Sequence, residues 1–148
     1  MAANLPFGLT SENLVQVKII YASYSAKTGV GKAEIVISGT GQVKLVEEAM
    51  ANDPNPQIHE GKITLQVVEQ VLDRMEKEGF LDLDDLYPHA GTPTGVRVIE
   101  LQLVETSKKV ILDQPATCVP FEHIASAIKL AVEPVLPSAF RYRFMQRF

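Results

Sequence analysis

At Thr64 the hydrophobic pattern of this 148-residue chain changes period. Upstream, apolar residues alternate with polar ones. Downstream, Leu65, Val68, Val71, Leu72 and Met75 recur at helical spacing, with Glu69, Asp73, Arg74 and Lys77 between them. Alternation buries one face of a strand, and 3.6-residue spacing buries one stripe of a helix. A chain holding both must lay helix on sheet. Thr64 suits an N-cap, Gly79 a left-handed stop, and Phe80 a fold-back toward Met75, so a helix is predicted over 65–78.

Three strands are predicted before that helix, over 15–25, 33–38 and 42–47. Ala33, Ile35 and Ile37 share a face, as do Val43 and Leu45. Ser38-Gly39-Thr40-Gly41 joins the last two, its glycines free to take the positive φ of a tight hairpin. Residues 49–62 carry Pro54, Pro56 and Gly61 and read as a surface loop. After the helix come an acidic link, 81–87, and a Pro/Gly turn region, 88–95. Strands follow over 96–105, with Ile99, Leu101 and Leu103 facing one way, and over 108–112. Pro120 opens a second helix over 121–133, with Ile124, Ile128, Ala131 and Val132 as its buried stripe. The expected fold is α+β: a five-stranded, mainly antiparallel sheet in the order β-β-β-α-β-β-α, both helices on one face. An N-terminal arm (1–14), one domain (15–136) and a C-terminal tail (137–148) divide the chain.

Composition excludes several classes. With 46% hydrophobic and 22% charged residues the chain is globular in character, and a net charge of −4 argues against a surface that grips double-stranded nucleic acid. Cys118 is the single cysteine, so no intrachain disulfide forms and a Cys-rich zinc site is excluded. No run approaches the ~18 apolar residues of a membrane span, and 1–14 lacks the basic and apolar regions of a signal peptide. A cytoplasmic protein is the default expectation.

Four constellations bear on chemistry. Ala26-Lys27-Thr28-Gly29-Val30-Gly31-Lys32-Ala33 resembles a phosphate-binding loop, but Ala26 stands where glycine is needed and Ala33 where Ser or Thr would hold the metal. A strand follows instead of the helix whose amides cradle phosphate. Nucleotide binding is rejected. Cys118 and His123, with Asp113 nearby, would form a nucleophile and base, the basis of a small Cys-dependent hydrolase. A lone Cys among Ala116, Val119 and Pro120 reads instead as a small buried hydrophobe. His59, His89 and His123 have no ligand spacing, and Asp82, Asp84 and Asp85 lack the glycine and distant glutamate of a calcium loop. No metal, cofactor or catalytic residue is expected.

The C-terminus is the fourth. Phe140, Arg141, Tyr142, Arg143, Phe144, Arg147 and Phe148 hold four of the ten aromatics and three of the five arginines. That composition suits a protein–protein hot spot, and equally single-stranded nucleic acid or a membrane surface. Alternatively Phe140, Phe144 and Phe148, spaced i, i+4, i+8, fold back on the core. The arginines would then face the stretch from Glu69 to Asp85, with seven acids against two bases.

Two segments carry a family resemblance. Gly79-Phe80-Leu81-Asp82-Leu83-Asp84-Asp85-Leu86-Tyr87 resembles the link that follows a helix in small bacterial domains of the emfourin type. Ile37-Ser38-Gly39-Thr40-Gly41-Gln42-Val43 is similar to their strand-turn-strand of the form I-x-G-x-G-x-V. The family comprises inhibitors of thermolysin-like metallopeptidases, so the resemblance implies a peptidase inhibitor with this order of elements. The Arg-Ser-Gly-Gly-like first-strand signature is missing and the aromatic-arginine tail is added, so no functional residue is carried over. The leading expectation is a non-enzymatic protein-binding module, with itself among its candidate partners.

Overall fold

The computed structural model describes residues 5–25, 30–137 and 144–148. The fold is α+β, built on one seven-stranded mixed sheet. Its strands are β1 (Lys18–Ser25), β2 (Ala33–Ser38), β3 (Gln42–Glu47), β4 (Gln57–Lys62), β5 (Leu86–Tyr87), β6 (Gly95–Gln102) and β7 (Ser107–Gln114). They lie in the order β4-β3-β2-β1-β6-β7-β5. All pairings are antiparallel except that of β5 with β7. Among the described residues three α-helices are delimited: α1 (Ser11–Leu14), α2 (Leu65–Lys77) and α3 (Val119–Val132).

This corrects the expected five-stranded, mainly antiparallel sheet with two helices. β4 falls in the segment read as a surface loop. Its prolines, Pro54 and Pro56, precede the strand and so cost it no ladder hydrogen bond. β4 is an edge strand whose inward positions are Gln57, His59 and Gly61, so it carries no alternating apolar signal. Glycine is required at 61, because a Cβ there would stand 2.9 Å from the Cβ of Val135 in the turn after α3. β5 is two residues long, too short to show a period, and lies in the link read as solvated acid. Lys108 holds that link to β7: its ammonium pairs with Asp85, at 2.7 Å, and with the Leu83 carbonyl. α1 spans four residues, and Thr10 caps it by accepting from the Asn13 amide.

α2 starts where the period changes. The Thr64 hydroxyl accepts from the Val67 amide at 3.2 Å, and Gly79 takes φ +68° just beyond the helix. Val68, Val71, Leu72, Met75 and Phe80 are buried. α3 buries Phe121, Ile124, Ala125, Ile128 and Val132, and both helices share one core with Ile19, Tyr21, Ile35, Leu45, Ile99 and Leu101. Those strand residues lie on the same side of the register, so α2 and α3 cover that side. Leu14 and Val17 join the core from the N-terminal segment, and the Phe7 amide donates to Glu76 of α2. Among the described residues no helix is long and apolar enough to cross a membrane.

Candidate functional site

The covered face of the sheet gathers its buried charged residues along its last full row. There Glu47, Ala33, Ser23 and Arg97 stand side by side across β3, β2, β1 and β6. Glu47, Ser23 and Arg97 are the buried polar residues among those described. A buried charge is tolerated only when paired and hydrogen-bonded. Arg97 meets this with the Glu122 carboxylate at the start of α3, the Tyr21 hydroxyl at 3.0 Å, and the Phe121 ring 5.2 Å beneath its guanidinium carbon. Burial opposes its charge, but the bonds to Glu122 and Tyr21 outweigh burial and raise its pKa, so it stays cationic. Only Nε lacks a partner among the described residues.

The end of the tail seals this row. Phe144 is fully buried. The Phe148 ring lies 4.7 Å from that of Tyr21 and 5.2 Å from that of Phe144. Ser23 donates its hydroxyl proton to the Arg147 carbonyl. The Arg147 guanidinium reaches the Glu47 carboxylate at 3.4 Å, the Glu48 carbonyl at 3.2 Å and the Gly31 carbonyl. Gly31 must be glycine, since any Cβ would overlap the backbone of Glu48. Gly31, of the Gly-x-Gly motif, thus stands just before β2 and offers its carbonyl to Arg147. Of the seven tail residues, Phe144, Arg147 and Phe148 turn onto their own domain; Phe140, Arg141, Tyr142 and Arg143 lie outside the described residues. Arg147 pairs with Glu47 and not with Asp82, Asp84 or Asp85.

Sequence parity held a signal for this row. Arg97 shares the face of Ile99 and Leu101, Glu47 that of Val43 and Leu45, and Ser23 that of Ile19 and Tyr21. Three polar residues at inward positions announce a buried network. The network also sets a pH dependence. Burial raises the pKa of Tyr21 above the ordinary 10.0, against the opposing pull of Arg97. A raised folded-state pKa gives stability that is whole below the unfolded value and is lost as pH rises through the folded one. The stability difference between wild type and Tyr21→Phe should therefore be constant below about pH 10 and shrink above it. Denaturant titrations across alkaline pH measure it; a difference that stays constant throughout contradicts the assignment.

Cys118 and His123 are not brought together as nucleophile and base. Cys118 is 7% exposed and packed into the core, whereas His123 is exposed with Nδ1 2.7 Å from Glu78 Oε1. Among the described residues no three His, Cys, Asp or Glu side chains are grouped as a metal ion would require.

The opposite face of the sheet is of another kind. Ile20, Val36, Val46, Val96, Val98 and Ile111 are only half-buried there, Ile58 is 49% exposed and Leu86 48%. An antiparallel sheet with one solvated face ordinarily alternates apolar-in with polar-out. Here β-branched residues occupy outward positions of six strands. No family model matches the chain, and no curated protein matches it.

Proposed function

We propose that the protein is a non-enzymatic binding module for protein partners, and that its working surface is the uncovered face of the sheet. The observation that carries this reading is the outward row Ile58, Val46, Glu34, Ala22, Val98, Ile111 and Leu86, apolar but for Glu34, in which Ile58 and Leu86 are exposed, Val46, Val98 and Ile111 half-buried and the small Ala22 buried between its neighbours. Contiguous exposed apolar surface on a folded domain marks an interaction site. The tail is the weaker candidate, because Phe144, Arg147 and Phe148 are engaged by their own domain. Engagement of His123 by Glu78 and packing of Cys118 in the core support a non-enzymatic role.

The test compares immobilised wild type with Val98→Lys, after circular dichroism shows both folded, in extract of the cells that make the protein. The reading expects a defined set of proteins, the chain itself included, to be retained by wild type and lost on the variant. Identical retention by both contradicts it.

A further inference from the structure

We propose that the occupant of the open face is a second copy of this chain. The two sheets pack face to face about a two-fold axis parallel to the strands and passing between β1 and β2. The inference rests on the reading of that face as the working surface.

The strand register makes the face a grid. Across β4, β3, β2, β1, β6 and β7, one row reads Ile58, Val46, Glu34, Ala22, Val98, Ile111. The adjacent outward row reads Glu60, Lys44, Val36, Ile20, Glu100, Lys109. A two-fold axis between the third and fourth columns sets first against sixth, second against fifth and third against fourth. In the charged row Glu60 then meets Lys109 of the second copy, Lys44 meets its Glu100, and Val36 meets its Ile20. In the apolar row Ile58 meets Ile111 and Val46 meets Val98. Symmetry makes four opposite-charge pairs, and every β-branched residue of these rows faces another. Glu34 meets Ala22, and it has Lys32 of its own chain at 3.7 Å.

The match singles out this axis. Moved half a strand spacing onto β1, it sets Lys44 against Lys109; moved onto β2, it sets Glu60 against Glu100. An axis perpendicular to the strands either repeats each charge against itself or sets charges on apolar side chains. Lys44, Glu60 and Lys109 make no ion pair among the described residues, so they are free to bridge. The third outward row sets Gln42 against Gln102, Lys62 against Ser107 and Lys18 against Ser38, a polar rim without like charges. Six strands at ~4.8 Å by six residues at ~3.4 Å give a projected face of about 580 Å². Two such faces bury about 1,200 Å², which reaches the range of stable complexes. Aligned packing of twisted sheets is an established geometry.

Sedimentation equilibrium of the full chain tests this. Wild type should approach twice its 16.3 kDa mass with rising concentration. Lys44→Glu and Glu100→Lys should each weaken association about ten-fold, since each turns two attractive pairs repulsive. The double variant should restore it. A second measurement stands apart from charge: in a Cys118→Ser background, Val46→Cys with Val98→Cys should give an oxidised covalent dimer, and neither single variant should. Within one chain those positions are three strand spacings apart, ~14 Å, too far for a disulfide. A wild type that stays at 16.3 kDa up to millimolar concentration overturns the proposal. So does a double charge variant no tighter than the single ones, or a covalent dimer from one cysteine alone. If wild type is monomeric but still retains other proteins that Val98→Lys loses, the self-association falls and the proposed function stands.

Discussion

Phe144→Ala is expected to lower the free energy of unfolding by about 3–5 kcal/mol, as truncation of a buried aromatic does. Phe144 stands four positions before Phe148, in a segment where truncation of a solvated appendage would cost nothing. Here the ring is fully buried, packed on Phe148 and part of the core that α2 and α3 share. Its loss leaves a cavity beneath the row of Glu47, Ser23 and Arg97 and loosens the Arg147 carbonyl from Ser23. Urea titration measures the change. A loss below about 1 kcal/mol would mean that the tail lies on the domain without supporting it. The mass in solution should not change with this variant, because Phe144 lies in the core on the covered side of the sheet and the proposed interface is the other.

Gly39→Ala should cost about 3 kcal/mol, near the upper end for forcing extra volume into a packed site. A Cβ at 39 would overlap the Leu14 carbonyl oxygen, and the backbone has little room to yield: the Gly39 amide is bonded to the Val17 carbonyl at 2.8 Å. Gly79→Ala is the control. Gly79 has φ +68° but nothing within 4 Å of a built Cβ, so only the left-handed strain of about 1 kcal/mol applies. Equal costs at the two positions would show that close approach is not what position 39 requires.

The sequence made α2 legible for a physical reason. Five apolar residues at 3.6 spacing, a threonine cap and a glycine stop act locally, and the helix runs from Leu65 to Lys77. β2 and β3 were legible through their alternation, and Gly39-Thr40-Gly41 as their turn, where Gly41 takes φ +94°. β4, β5 and α1 were hidden because an edge strand with glycine and histidine inward, a two-residue strand and a single helical turn carry no period. The parallel pairing of β5 with β7 depends on Lys108 gripping Asp85, a contact 23 residues apart.

The candidate site was only half legible. Ser23, Glu47 and Arg97 share parity with Tyr21, Leu45 and Ile99, yet none stood out from the sequence as a site residue, whereas the spacing of Phe144 and Phe148 placed their rings on one side of a helical turn. The choice of Glu47 over the acidic link as partner of Arg147 depends on strand order, which brings the β2–β3 edge to the tail. The open face was not legible at all. Its rows exist only once β1 is known to lie between β2 and β6, and only then do Lys44 and Glu100 fall at symmetric columns.

The most direct test of that face is an isotope-filtered NOE measurement on a mixture of ¹³C-labelled and unlabelled chains. Contacts between methyl groups of different copies should join Val46 to Val98, Ile58 to Ile111 and Val36 to Ile20. Intermolecular contacts from Leu130 on α3 or Leu65 on α2, with none from these six residues, would contradict the account.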